Sequence, residues 1–241
     1  MSDAAKILLT SSNLYAQARS YSDAGIVTTS RQKHEPYSSP DVVRRFSSVF
    51  QRTGKFRFNW WEEDGTGTPD FAVVLEDASA RLESRNGDRR AYSSLSQAIA
   101  ENYGATKGVI GTVAPLLLPD LGGQNIMKAM SSKLLGLENV GQEKCHKLVV
   151  LPENTPIETM VFISMETSLL RSVEFSFTAS PAKVLETIGW IRWFSPSFWK
   201  LTLMHRDVLN AEPLDHRIQI SYQYADVDCE IPDDAFLQTP R

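Results

Sequence analysis

The chain has 241 residues, 42% of them hydrophobic and 22% charged, with a formal net charge of −4 at pH 7. A chain of this size and balance can bury most of its apolar surface. The acidic pI of about 5.6 and the absence of any basic run give nucleic-acid binding no electrostatic footing. No apolar stretch approaches the ~18 residues of a transmembrane helix, and MSDAAKILLTSS has neither the basic region nor the apolar core of a signal peptide.

Residues 3–21 place Ile7, Leu8, Leu14, Tyr15 and Ala18 near a helical period and predict a first helix. Short strand-like runs follow at 26–29 and 42–51, the second with Phe46 and Phe50 on one face, around a polar turn at 34–41. In FQRTGKFRFNWW, residues 50–61, a step of two puts Phe56, Phe58 and Trp60 on one side of a strand and Arg57 and Asn59 on the other. Three large aromatics on one face require a cover: a core, a partner, or something that comes and goes. An acidic turn, Glu62-Glu63-Asp64, reads as solvated rather than as a cation site. It leads to runs at 71–75 and 80–83, in the spacing of an antiparallel meander.

The middle changes character. Ser94 and Gln97 form a capping-box pattern, Gly104 suits a helix end, and Leu95, Ala98, Ile99 and Tyr103 make an apolar stripe between them. In GTVAPLLLPDLGG, residues 111–123, Pro115, Pro119 and the glycines break up Leu116, Leu117 and Leu118. Such a segment reads as a poor core helix but a good flap. A second short helix is expected over 124–133. Strands return at 134–140, 145–151, 157–165 and 169–178, the last with Val173, Phe175 and Phe177 on one face. A final strand at 217–225 sets Ile218, Ile220, Tyr222 and Tyr224 against polar alternates. Alternation of this kind marks a sheet with one apolar and one wet face.

Between these last strands, Ser180-Pro181 suits a helix start and leads to Trp190, Trp193, Phe194, Phe198 and Trp199. Five exposed aromatics would present on the order of 1,000 Å², more than the ~300–600 Å² of a monomer's largest patch. They are therefore expected to pack on the sheet's open end or to meet a membrane surface or partner protein. The whole, 1–241, is expected to be one α+β domain and a monomer, with a helical lid insertion at about 94–133 and an aromatic insertion at about 181–204. No nucleophile elbow, P-loop, HExxH or Rossmann fingerprint is present, and His34, His146, His205 and His216 lack ligand spacing. No enzymatic activity, cofactor or metal is expected.

The order of pieces resembles the LolA/LolB-like superfamily of bacterial envelope proteins, the outer-membrane lipoprotein-sorting relatives. The resemblance rests on Tyr15, Ser20-Tyr21 and Gly25; on Phe50, Arg52 and Phe56-Arg57-Phe58; on Ser94-Leu95 and Ala98-Ile99; and on Pro115-Leu116-Leu117-Leu118. It continues through Leu135-Gly136, Glu138, Val140-Gly141 and Cys145, then Phe162-Ile163, Thr167 and Leu169-Leu170-Arg171, and ends at Val227, Cys229, Ile231-Pro232 and Ala235-Phe236. It implies an unclosed antiparallel β-barrel whose apolar concave face is plugged by helices. Phe56, Phe58, Trp60, Leu116, Leu117, Leu118, Val173, Phe175, Phe177, Ile220 and Tyr222 would then line a cavity for acyl chains. Arg52 would hydrogen-bond lid carbonyls as a latch.

The function implied is a periplasmic or extracytoplasmic carrier of lipid or acylated lipoprotein. The alternative is an envelope sensor of the RseB/MucB kind. An oxidising compartment would allow a Cys145–Cys229 disulfide, against two unpaired thiols on separate strands. The chain departs from the family in having Thr53 after Arg52 and Asp77-Ala78-Ser79 where Asp-Gly is usual, and in the 181–204 insertion.

Overall fold

The computed structural model describes residues 1–32, 41–62, 67–121, 125–153, 157–179 and 214–236. Helix α1 (Asp3–Gln17) is followed by strands β1 (Ser20–Gln32), β2 (Val42–Gln51), β3 (Lys55–Trp61), β4 (Phe71–Glu76), β5 (Ser79–Ser84) and β6 (Arg89–Tyr92). Helices α2 (Leu95–Asn102) and α3 (Ile110–Leu117) come next. After them run β7 (Ala129–Val140), β8 (Glu143–Pro152), β9 (Thr159–Ser164), β10 (Leu170–Ala179) and β11 (Leu214–Val227).

The strands form one antiparallel sheet in the order β6-β5-β4-β3-β2-β1-β11-β10-β9-β8-β7. Two meanders are thus joined where β1 pairs with β11. The outer strands β6 and β7 do not pair, so the sheet is an unclosed β-barrel of the α+β class. The chain must cross from one outer strand to the other, and it does so as α2 and α3. That connection carries the cover of the apolar face, together with α1.

Local chemistry explains the elements. Ser2 caps α1 by accepting from the Ala5 amide at 3.2 Å, and Ser94 caps α2 by accepting from the Gln97 amide at 3.2 Å. Gln97 completes no reciprocal box with Ser94: its Oε1 accepts from the amide and hydroxyl of Ser93. The β4–β5 hairpin turns on Asp77 and Ala78, at φ 48° and 65°. This left-handed pair twists with the strands, and glycine fits it far better than alanine. Gly25 is required by contact: a Cβ there would lie 2.4 Å from the Ser221 carbonyl oxygen and 2.6 Å from the Phe46 ring.

Several expectations are corrected. The first helix ends at Gln17 rather than near 21, because Ala18 turns to ψ 129°. Tyr21, Asp23, Gly25 and Val27 then alternate inward along β1. The expected helix at 124–133 gives way to β7 from Ala129, where Ser131, Ser132 and Lys133 pair with Leu151, Val150 and Val149; strand pairing overrides a weak local signal. The lid insertion accordingly ends before Ala129. Within the oily segment at 111–123, the residues up to Leu117 belong to helix α3, which is buried along its whole length.

Tyr224 does not share the face of Ile220 and Tyr222. A bulge sets Ala24 opposite Tyr224 but Gly25 opposite Tyr222, so the extra residue turns Tyr224 outward and Ala225 inward. Cys145 and Cys229 are free thiols. Strands β9 and β10 lie between β8, which carries Cys145, and β11, which Cys229 follows. Three strand spacings of about 4.8 Å make ~14 Å, beyond the ~7 Å that a disulfide tolerates.

Candidate functional site

The apolar concave face is the candidate site. Phe46, Trp60 and Phe71 lie in register on β2, β3 and β4, and Gly25 and Tyr222 continue the row on β1 and β11. Because Gly25 has no side chain, the Phe46 ring reaches over it to meet Tyr222 edge-on, with centroids 5.4 Å apart. Phe58 stacks between Phe46 and Trp60 at 6.3 Å from each, and Phe71 follows Trp60 at 6.4 Å. A ladder of five rings carried by four strands therefore spans five, crossing β1 at Gly25. The spacings are those at which rings attract beyond their buried area.

Most of the expected lining meets here. Phe56, Phe58, Trp60, Leu116, Leu117, Val173, Ile220 and Tyr222 share one buried cluster, and Leu118 and Phe175 pack against it half-buried. The side chain of Phe177 lies outside the described residues, as do Trp190, Trp193, Phe194, Phe198, Trp199, Glu63 and Asp64. In this closed arrangement the lining is shielded from water by the helices.

Arg52 stands where α1 and α3 end. Its Nη1 donates to the Leu117 carbonyl at 2.7 Å, and its Nε to the Ala18 carbonyl at 3.0 Å. Its Nη2 donates to the carbonyls of Ala16 and Ala18 at 2.8 Å and of Tyr15 at 3.2 Å. The guanidinium also lies over the Phe50 ring at 4.9 Å. One fixed fork thus satisfies carbonyls that both helices leave without intrahelical partners, and its positive charge suits the negative helix ends.

The sequence reading missed a polar cluster inside this apolar site. Asp23 on β1 is fully buried, and its Oδ2 accepts from the Tyr21 hydroxyl at 2.8 Å. Tyr15 of α1 lies against Tyr21, with centroids 5.5 Å apart, and its hydroxyl accepts from the Leu170 amide at 3.1 Å. Burial pushes the Asp23 carboxyl up to about 7, against the lowering effect of the Tyr21 hydroxyl and of Ser48 beside it on β2. Burial, and next the charge of Asp23, push the hydroxyls of Tyr21 and Tyr222 well above the usual range. One signal was available: an aspartate in strand alternation with Tyr21 and Val27, where an apolar residue is the rule.

The opposite, convex face also holds a buried charge. Arg57 donates to Glu83 at 3.2 Å and to the Phe236 carbonyl at 3.4 Å, beneath the 3-10 turn Asp233–Phe236. Alternation predicted a wet face for Arg57, but that turn covers it. Among the described residues no group of acidic, histidine and cysteine side chains is placed to hold a metal, and no helix is long and apolar enough to cross a membrane.

No family model and no curated protein matches the chain. Solved structures do. MucB in complex with MucA(peri) matches at 10% identity and a TM-score of 0.42, over 97% of this chain and 59% of that one. A domain described as an outer membrane lipoprotein-sorting protein from Vibrio parahaemolyticus matches at 13% and 0.36, over 97% and 95%. A LolA superfamily protein from Nitrosomonas europaea matches at 11% and 0.33, over 98% of each chain.

Proposed function

We propose that the protein is a non-enzymatic carrier of lipid-like or acylated ligands in the periplasm or another extracytoplasmic compartment, taken up on the concave face when α3 lifts. The observation that carries this reading is the cover itself. Every residue of α3 is buried and nearly all are apolar, yet the helix is only eight residues long, contains Pro115 and has no side-chain N-cap. Few polar ties hold it: Arg52 to the Leu117 carbonyl, and Asn125 to the Pro115 carbonyl at 3.3 Å. Burial of large apolar side chains, worth about 1.5–3 kcal/mol each, keeps it docked. An acyl chain supplies the same kind of surface, so exchanging Leu116, Leu117 and Leu118 for a ligand costs little. Arg52 acts as the latch that both helices share.

A titration of delipidated, folded protein with a fluorescent fatty acid tests the proposal. Saturable binding that Leu117→Trp weakens is expected. No saturable binding, in a sample shown by mass spectrometry to be ligand-free, would mean that the concave face is core alone. A second reading, an envelope sensor, is favoured by the outer strand β7, which exposes Met130, Leu135 and Leu137. Such a row on a strand paired along one edge only, with β8, suits an extended partner segment. A specific protein recovered with β7 intact, but not with Leu137→Lys, would support the sensor.

A further inference from the structure

On the concave face beneath α1, two buried polar atoms have no well-formed hydrogen bond among the described residues: the second carboxyl oxygen of Asp23, Oδ1, with Ser48 beside it on β2, and the Tyr222 hydroxyl. Asp23 is 0% exposed and Tyr222 5%. The Ser11 hydroxyl, one helical turn before Tyr15 on the same buried face of α1, is likewise unpartnered. Buried polar atoms without partners are rare in folded proteins and costly. Three that share the region under one helix call for an occupant.

The backbone leaves room for one. Asp23 is flanked in register by Ser48 on β2 and Ala225 on β11, both small. The bulge in β11 creates this gap: it turns Tyr224 outward and sets Ala225 beside the carboxylate. Large rings stand around the gap, with Tyr21 and Tyr15 on one side and Phe46 and Tyr222 on the other.

We infer that this gap is the head-group subsite of the ligand: it takes a hydroxyl-bearing head, such as an alcohol or glyceride, whose O–H donates to Asp23 Oδ1 and whose oxygen accepts from the Tyr222 hydroxyl. The inference rests on the proposed cavity and adds to it a choice of ligand class. A hydroxyl both donates and accepts, which answers an orphaned carboxylate oxygen and an orphaned phenol together. A free carboxylate head would meet Asp23 as a like charge wherever Asp23 is ionised, and a bare hydrocarbon would leave both atoms unpaired. The acyl tail would then run from the gap along the ring ladder, which begins at Tyr222.

The test is displacement of a bound hydrophobic dye from the folded, delipidated full chain at pH 8. The probes are decan-1-ol, glycerol monodecanoate and decanoate, all below their micelle concentrations. The expected result is that the two hydroxyl probes bind about tenfold or more tighter than decanoate, the scale of one buried hydrogen bond. That preference should shrink to within about threefold in both Asp23→Asn and Tyr222→Phe. Tyr222→Phe removes an atom with no partner, so it should melt no lower than the wild type, which keeps the test valid should Asp23→Asn fold poorly. Equal binding of all probes in wild type and variants overturns the subsite while leaving the cavity standing; the orphaned atoms would then be served by bound water. Tighter binding of decanoate also overturns it. No displacement by any probe overturns both the subsite and the carrier reading.

Discussion

Helices α1 and α3 cover the same apolar face, yet they are built differently. α1 is fifteen residues long, capped by Ser2, and amphipathic, with Ala4, Leu8, Ser11 and Tyr15 buried. Its Tyr15 is tied to the sheet by a hydrogen bond from Leu170. α3 has eight residues, an internal proline and no side-chain N-cap, and it is buried on every side. The chain enters it through Lys107 and Gly108, both in the left-handed region. A long amphipathic helix with polar ties makes a lasting wall. A short, broken, almost wholly apolar helix is held mainly by burial, which a ligand can replace.

The largest expected effect bears on what lies under α1. Asp23 carries an ordinary carboxyl value of 3.8 when unfolded and about 7 when folded. The folded state therefore holds its proton more tightly. This group's effect on stability is absent below about pH 4; between about pH 4 and pH 7 stability falls by about 1.4 kcal/mol per pH unit, and above pH 7 the loss is complete. The loss comes to about 4 kcal/mol above pH 7, an order-of-magnitude figure. Asp23→Asn should abolish that slope and be the more stable form at pH 8, read from urea midpoints at pH 5 and pH 8. Equal slopes in the two proteins would contradict it.

Arg52→Leu breaks the tie that both helices share. Leaving the carbonyls of Leu117 and Ala18 unsatisfied should cost about 1–3 kcal/mol. Ligand association and dissociation should each quicken about tenfold or more. Rates matching those of the wild type would remove the latch. The smallest effect is a control away from both helices: Ala78→Gly relieves the left-handed turn of the β4–β5 hairpin and should stabilise by about 1 kcal/mol. Ligand kinetics should stay unchanged, as thermal melts and the same exchange assay would show.

Much of the sheet was legible because alternation is a strong signal wherever one face is buried: Phe56, Phe58 and Trp60 sit as read, and so do Ile218, Ile220 and Tyr222. The pattern failed at particular places for physical reasons. The β11 bulge inverted Tyr224, which no spacing reveals. Residues 129–133 look helical alone and become strand by pairing with β8. Arg57 looked wet, because the turn that buries it comes 179 residues later. Asp23 is the clearest case: it alternates with Tyr21 and Val27, but a reading that ran the first helix to 21 and began the strand at 26 left it outside any strand.

The most direct test of the account is native-state hydrogen exchange of the α3 amides of Val113, Ala114, Leu116 and Leu117, compared with those of Leu8 to Tyr15 in α1. If α3 is the removable cover, its amides exchange through an opening of lower free energy than global unfolding, while those of α1 approach the global value, and an acyl ligand changes α3 exchange far more than α1. If both helices exchange only by global unfolding, with or without ligand, α3 is a fixed part of the core and the account is wrong.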